Sequence, residues 1–309
     1  MSPFSSLTPE AACAALGAAR LRLRPSDVSV ERREERWLVR VPGPRVAWFA
    51  ASPNGRVALA TERRVLRLLA DRCGFTAPRV LYESPSGDFE VRSLVVGSAD
   101  SAETYARMRR DPAAASRFGA GVGAILAELH SKIAAAEVAD WLPARPSWPE
   151  PGAWIAERLP SVVADADLCA RAADVIAAYE SEPVATHDRV LAHTDVGVHN
   201  VVVAPSSLEV LGLFDYDGAA CADRHHDFRY LVLDFEAKAF DAAVAAYEPV
   251  TGCTISRERV LLYNAACAIS YLAFRAGHAP DEPWCGRTLA QDLQWSSRAI
   301  ERVVGSRRA

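Results

Sequence analysis

Lysine is almost missing from this chain of 309 residues: two of its 35 basic residues, Lys132 and Lys238, are lysines and the others are arginines. Against 39 acidic residues they leave a net charge of −4, which excludes the strongly positive field that draws proteins to nucleic acids or anionic membranes. Half of the residues are hydrophobic, yet no apolar run reaches the roughly 20 residues that a membrane span needs. We therefore expect a folded protein without nucleic-acid or membrane partners.

Cysteine pairs of the type C-x-x-C are also missing. The seven cysteines are odd in number and scattered along the chain, a pattern that favours free thiols over a disulfide or zinc framework. Near the N-terminus, Thr8, Pro9 and Glu10 have the character of a helix start, with a cap, a first-turn proline and an acid, rather than of a secretory signal. These features predict a cytoplasmic protein, and nothing in the sequence indicates its oligomeric state.

The first third of the chain has the pattern of an antiparallel sheet with one main helix. Short strand-like runs alternate with turn residues, and a helical spacing covers 62–70; the runs are 28–32, 37–41, 46–50, 79–82 and 89–96. They stop at Gly97, after which apolar residues at helical spacing dominate. The sequence therefore predicts an α+β fold, with a small lobe (1–97) built on a five-stranded antiparallel sheet and a mostly helical lobe (98–309).

The segment 190–227 contains the residue types that phosphoryl transfer requires. Two strand-like runs with a short loop between them predict a hairpin, which would bring Asp195, Asn200 and Asp215 to one end. Magnesium prefers a few hard oxygen ligands, so an asparagine and an aspartate suffice when phosphates and waters fill its other positions. A separate carboxylate at Asp195 could then accept the proton of an attacking hydroxyl.

His193, Asp195 and Asn200 form the pattern His-x-Asp-x-x-x-x-Asn, and the apolar run that follows ends in Asp215. This arrangement resembles the catalytic hairpin of the aminoglycoside phosphotransferase family, which is similar in fold to the eukaryotic protein kinases. The resemblance implies a bilobal protein-kinase-like fold. The N-terminal lobe would bind the nucleotide, and the C-terminal lobe would supply catalysis and bind the acceptor.

The resemblance also implies a role for each matching residue of the hairpin. Asp195 would be the catalytic aspartate, and Asn200 and Asp215 would be the magnesium ligands. His193 would be the structural histidine that opens the motif. Asp217 is not part of the matching motif, and its position near Asp215 suits either a third carboxylate of the metal site or a turn residue.

Two further matches lie outside the hairpin. Glu62 stands where the family has a glutamate on the main helix of the small lobe, which pairs with a lysine that holds the nucleotide phosphates. Asp227 matches an aspartate that anchors the catalytic loop. Both are therefore expected to support the site.

Two features of the family are missing from the small lobe. The predicted turn at 31–36 has no glycine where a phosphate-cradling loop is expected, and the third strand, 45–51, has no lysine. Arginine can also hold phosphate, in a bidentate manner, so we predict that Arg45 takes the place of the lysine beside Glu62. The other candidates are Arg33, Arg40 and Arg56, and a lobe with weakened nucleotide binding is the alternative.

The function implied by the resemblance is a Mg²⁺-dependent transfer of the γ-phosphoryl group of ATP or GTP to a hydroxyl of a small molecule. An antibiotic is the first expected acceptor (an aminoglycoside, a nucleoside or another hydroxylated natural product), and its modification would give resistance. Two alternatives remain open. One is a kinase-like binding protein without catalysis, and the other is a housekeeping kinase for choline, homoserine or a sugar.

Three other chemistries fit the sequence less well. A serine hydrolase is excluded because no Gly-x-Ser-x-Gly elbow is present. The glycines in 119–123 lie within a helical stripe, which indicates close helix packing rather than a dinucleotide site. A zinc cluster would leave Asn200 and Asp215 unexplained; its ligands would come from His193, Asp195, His199, His225 and His226.

Overall fold

The N-terminal lobe is built on the five-stranded antiparallel sheet that the sequence predicts. The structure is a computed structural model that describes residues 4–232, 238–279, 281–283 and 287–306. The lobe contains α1 (Pro9–Leu16), β1 (Ser29–Arg33), β2 (Arg36–Arg40), β3 (Arg45–Ala50), α2 (Pro53–Arg72), β4 (Val80–Glu83) and β5 (Phe89–Ser93). The strands lie in the order β1-β2-β3-β5-β4, and each neighbouring pair is antiparallel.

The two faces of this sheet differ in chemistry, because successive side chains of a strand point to opposite faces. One face is apolar and packs with residues of α1; its buried side chains are Val39, Ala47, Phe49, Phe89 and Val91. On the other face, charged side chains of β2 and β5 bond to Glu62 of α2. The sheet thus separates an apolar core from a charged layer.

Helix α2 begins earlier than the predicted segment 62–70, because the chain caps it at Ser52. The Ser52 hydroxyl accepts the backbone N–H of Gly55 at 3.1 Å, and Pro53 occupies the first helical turn. A Cβ on Gly55 would lie 2.0 Å from the carbonyl oxygen of Glu35. The missing side chain therefore lets the β1–β2 turn rest on the start of α2, which fixes the helix that carries Glu62.

Helices dominate the second lobe. They are α3 (Ser101–Arg110), α4 (Pro112–Lys132), α5 (Ala135–Val138), α6 (Gly152–Arg158), α7 (Ala166–Ser181), α8 (Lys238–Thr251), α9 (Arg257–Phe274) and α10 (Leu289–Ser306). Two small antiparallel sheets lie between α7 and α8: β6 (Arg189–Ala192) pairs with β9 (Ala220–Asp223), and β7 (Val201–Val203) pairs with β8 (Val210–Leu213). The β7–β8 pair is the predicted hairpin.

The core of this lobe depends on close contact between α4 and α8. A Cβ on Gly119 or Gly123 would lie 2.0 or 2.2 Å from the carbonyl oxygen of Ala239 or Ala243, respectively, so the helix-packing interpretation of these glycines is confirmed. Helix α9 is also central, and it corrects the expectation that no apolar run is long enough for a membrane span. The stretch Arg257–Gly277 is long and apolar enough, but 72% of its apolar 18-residue part is buried inside the protein. Such burial is typical of a core helix.

The segment between β5 and α3 is attached to the hairpin. Ser98 and Val203 exchange backbone hydrogen bonds of 2.9 Å in both directions. Gly97 has φ +151°, and a Cβ there would lie 2.6 Å from a methyl group of Val202, so glycine is required at this crossing. The β7–β8 hairpin therefore lies directly at the junction of the two lobes.

Candidate active site

The β7–β8 hairpin brings the predicted metal ligands together. The backbone N–H of Phe214 donates to the carbonyl of Asn200 at 3.0 Å, which continues the ladder one step beyond the Val201–Leu213 pair. Asp215 follows directly, with a left-handed φ of +69° that is uncommon outside glycine but best tolerated by Asp and Asn. Asn200 and Asp215 thus stand at the same end of the hairpin, as the sequence predicts.

Asp195 accepts several hydrogen bonds next to these residues. Asn200 Nδ2 donates to the carbonyl oxygen and to Oδ2 of Asp195, both at 2.9 Å. His199 Nε2 lies 3.0 Å from the same Oδ2. The Asp195 side chain nevertheless remains 41% exposed, so an acceptor hydroxyl can reach it. Because the amide nitrogen of Asn200 is bound to Asp195, its amide oxygen is the atom that would face a cation.

His199 keeps the Asp195 carboxylate ionised. Burial alone would raise the pKa of Asp195, but the hydrogen bond and charge of His199 outweigh it and hold the pKa at about 2. Burial lowers the pKa of His199, but Asp195 and, more weakly, Asp215 raise it. The net effect is a raised pKa. Asp195 is therefore a weak base. Such a base can orient the acceptor hydroxyl and take its proton late in the reaction.

His193 is fully buried and uses both ring nitrogens to shape the loop. Nε2 donates to the carbonyl oxygen of Phe214 at 2.9 Å, and Nδ1 accepts the backbone N–H of Asp195 at 3.3 Å. Within the part of the chain that the structure describes, no group of three or more His, Cys, Asp or Glu side chains could hold a metal ion. The structure thus gives no support to the zinc cluster, whereas a magnesium site completed by an asparagine and phosphates needs no such group.

Asp227 lies beneath the loop, in the position predicted for an anchor. Its carboxylate accepts the backbone N–H of His193 at 2.9 Å and that of Thr194 at 2.6 Å. His130 Nε2 lies 3.0 Å from the same carboxylate. Burial raises the pKa of Asp227, but the hydrogen bond from His130 outweighs it and lowers the pKa. A buried ionised carboxylate therefore fixes the backbone that presents Asp195.

The predicted metal ligand Asp215 is crowded by other carboxylates. Burial, then the charges of Asp217 and Glu62, raise its pKa to about 7. Burial also raises the pKa of Asp217, although Arg36 opposes this effect. A divalent cation would relieve the repulsion, and a carboxylate of Asp215 with the amide oxygen of Asn200 supplies the hard donors that Mg²⁺ prefers. The residues at this site therefore fit a magnesium ion.

Glu62 pairs with two arginines that the sequence analysis did not single out. Its Oε2 accepts from Nη1 of Arg36 at 2.9 Å, and its Oε1 lies 2.5 Å from Nη1 of Arg92. Burial raises the pKa of Glu62, but Arg92 and then Arg36 outweigh it and lower the pKa. Because these arginines occupy both carboxylate oxygens, the prediction that Arg45 pairs with Glu62 is wrong.

The alternation of the strand explains why Arg45 does not reach Glu62. Arg45 stands on the same face of β3 as Ala47 and Phe49, which pack in the apolar core on the opposite side of the sheet from α2. The three other candidates pair elsewhere: Arg33 and Arg40 with Glu31, and Arg56 with Asp88. Nucleotide binding by Arg45 remains a prediction, but this residue does not contact the charged layer around Glu62.

Trp48 occupies the position on β3 that faces the charged layer. It stands opposite Leu38 of β2 and Glu90 of β5, so it lies diagonally between the two arginines on the same face. The guanidinium carbons of Arg36 and Arg92 lie 4.7 and 5.9 Å from its ring centroid, within the range of cation–π contacts. The positive charge near Glu62 therefore comes from the two strands that flank β3.

Comparisons with known proteins place the chain beside phosphotransferases in sequence. The model of a family described as phosphotransferase enzymes matches residues 24–261. Streptomycin 3''-kinase of Streptomyces griseus is 27% identical over 247 residues, 76% of this chain and 77% of that protein.

Solved structures at lower identity share the fold. The GDP complex of wild-type aminoglycoside 2'-phosphotransferase-IIIa has a TM-score of 0.66 at 18% identity, over 94% of this chain and 97% of that one. The apoenzyme of macrolide 2'-phosphotransferase MphH from Brachybacterium faecium has a TM-score of 0.62 at 18% identity, over 94% and 98%. The predicted bilobal kinase-like fold is confirmed.

Proposed function

Because the chain belongs to the phosphotransferase enzyme family, we propose that it transfers the γ-phosphoryl group of ATP or GTP to a hydroxyl of an antibiotic. The observation that carries the proposal is the end of the β7–β8 hairpin. There a 41% exposed carboxylate, Asp195, accepts a hydrogen bond from the amide of Asn200, and Asp215 stands two residues beyond the end of β8. One accessible carboxylate for the hydroxyl and separate oxygen donors for a metal are the parts that phosphoryl transfer requires.

In this mechanism each residue has a separate task. Asn200 and Asp215 would hold a magnesium ion, which when bound screens the charge of the nucleotide phosphates. Asp195 orients the acceptor hydroxyl and takes its proton as the oxygen attacks the γ-phosphorus. The bond from that phosphorus to the bridging β–γ oxygen breaks, and ADP or GDP leaves. His199, which bonds to Asp195 at 3.0 Å, keeps that carboxylate ionised and in place.

The relatives favour an antibiotic as the acceptor. Streptomycin 3''-kinase is the most direct indication, because its identity of 27% extends over about three quarters of both chains. We therefore propose streptomycin-like aminoglycosides as the first acceptor class, ahead of macrolides. The arginines that flank Glu62 argue against a protein that lost catalysis together with its lysine, since the positive charge is still present.

A cytoplasmic location is part of the same proposal. Six cysteines are free thiols in the described ranges, and Cys285 lies outside the described residues. Free thiols suit the reducing compartment in which ATP and GTP are available.

The test is transfer of phosphate to a panel of acceptors in the presence of Mg²⁺ and either ATP or GTP. The panel contains streptomycin, kanamycin, a macrolide, choline and homoserine, and mass spectrometry detects the added phosphoryl group. We expect the wild type to modify an antibiotic, and Asp195→Asn to modify it far more slowly. Modification of choline or homoserine alone would contradict the antibiotic proposal and favour a housekeeping kinase.

A further inference from the structure

A row of alternating charges runs through the N-terminal lobe to the candidate active site. Consecutive ion pairs join six side chains in the order Arg63, Glu90, Arg92, Glu62, Arg36 and Asp217. We name this row the charge ladder. The first five residues belong to the sheet lobe and the last to the loop after β8, so the ladder crosses from one lobe to the other.

Arg36 is the rung at that crossing. Its Nη1 bonds to Glu62 of α2 at 2.9 Å, while its Nη2 pairs with Asp217, two residues beyond the metal ligand Asp215. Its side chain is 10% exposed, whereas the side chain of its partner Asp217 is 41% exposed, so this ion pair lies at the solvent-accessible end of the row. A guanidinium also carries more N–H donors than two carboxylate oxygens require. Arg36 therefore presents positive charge beside the expected metal and phosphates.

Of the two arginines that pair with Glu62, Arg36 is the better candidate to contact a ligand. Trp48 fills the β3 position between the two arginines and covers the guanidinium of Arg36 at 4.7 Å, which restricts its orientation. Arg92 is 3% exposed and pairs with Glu62 and Glu90, both of the same lobe. Arg92 thus serves to neutralise buried carboxylates, whereas Arg36 also touches the second lobe.

We propose that Arg36 binds the nucleotide phosphates in place of the missing lysine. Nη1 stays on Glu62, and Nη2 exchanges Asp217 for a phosphate oxygen when the nucleotide enters. Guanidinium–phosphate bonds are short and charge-assisted, so the exchange replaces one ion pair by another. The inference rests on the proposed function, because it assigns a phosphate-binding residue to the same nucleotide site.

The test compares nucleotides with their nucleosides in calorimetric titrations with Mg²⁺: ADP against adenosine, and GDP against guanosine. Arg36→Met should weaken the nucleotide that the wild type binds by about 10- to 100-fold and leave its nucleoside unchanged, while Arg36→Lys should retain part of the affinity. Arg67→Ala is the matched control, because Arg67 is 59% exposed on α2 and pairs with Glu83 on the outer side of the lobe.

A second variant separates phosphate binding from a purely structural role. Removal of Arg36 alone leaves Glu62 short of a partner, whereas Arg36→Met/Glu62→Gln also removes the buried negative charge. We expect this double variant to fold and to lose nucleotide affinity as Arg36→Met does. Wild-type affinity in the double variant would overturn this inference alone, since Arg36 would then only neutralise Glu62. A wild type that binds neither ADP nor GDP would overturn the proposed function as well.

Discussion

The two halves of the candidate active site are assembled in opposite ways. In the hairpin, Asn200 bonds to Asp195 five positions away, so one short loop presents the acidic and amide groups. In the sheet lobe, Glu62 meets Arg36 across 26 positions, and the layer combines residues of β2, β5 and α2. In the local loop, each position has one role, so the residue type at that position is fixed. In the layer built from several strands, the requirement is a positive charge beside Glu62, and an arginine on any of the neighbouring strands can meet that requirement.

The largest effect is expected in the hairpin, from Asp195→Asn. The substitution keeps the size of an exposed side chain but removes the proton acceptor, so kcat should fall by about 10²- to 10⁴-fold. Steady-state kinetics with the acceptor identified from the panel measures this loss, and a cooperative thermal unfolding transition should show that the variant is still folded. Wild-type turnover in this variant would contradict the assignment of Asp195 as the proton acceptor.

The sheet lobe should respond most strongly in stability, through Arg92→Met. Arg92 is 3% exposed, and its loss leaves Glu62 and Glu90 short of a positive partner. Breaking such a buried pair costs about 3–5 kcal/mol in the free energy of unfolding, which urea denaturation can measure. The exposed pair of Arg67 with Glu83 offers the contrast, because Arg67→Ala should cost at most about 1 kcal/mol. Equal losses of unfolding free energy in both variants would mean that burial does not determine how much these ion pairs stabilise the protein.

A smaller effect is expected in the helical lobe, where His226 should make the free energy of unfolding depend on pH. Burial and then the charge of Arg229, whose Nη1 lies 3.0 Å from His226 Nδ1, lower the pKa of His226 to about 3. Below pH 6.5 the unfolded chain binds a proton at His226 that the folded chain does not, so the helical lobe loses stability as the pH falls. At pH 5 this loss amounts to about 2 kcal/mol.

His226→Gln is the variant that isolates this effect, because it removes the titrating group. The decrease in the free energy of unfolding between pH 7 and pH 5 should be smaller in the variant than in the wild type. The pairs of Glu62 with Arg92 and Arg36 should persist over this range, since these two arginines lower the pKa of Glu62 against the effect of burial. Identical pH dependence in the two proteins would show that His226 is protonated in the folded state.

The hairpin could be predicted from sequence because its information is local. The pattern of His193, Asp195 and Asn200, followed by a strand that ends in Asp215, defines one loop and one register. The family resemblance that it indicated is confirmed by the match over residues 24–261. The sequence indicates only a zinc-ligand role for His199, although its position directly before Asn200 places it within reach of Asp195.

The charged layer of the sheet lobe could be predicted only in part. Glu62 is among the predicted site residues, but the predicted strand 37–41 begins one residue too late and omits Arg36, the first residue of β2. The prediction of Arg45 rests on its place in the third strand, although the period of two puts it on the face of Phe49. Arg92 lies within a predicted strand, but its pairing with α2 depends on the order β3-β5, which no local pattern specifies.

The most direct test of the account is calorimetric titration with ATP and with GTP, in the presence and absence of Mg²⁺. The wild type should bind one of the two nucleotides, with an affinity that increases when Mg²⁺ is present. Asp215→Ala should abolish that increase, because it removes the proposed metal ligand from the end of the hairpin. A nucleotide affinity that is the same with and without Mg²⁺, or a response to Mg²⁺ that survives in Asp215→Ala, would contradict the assignment of the site.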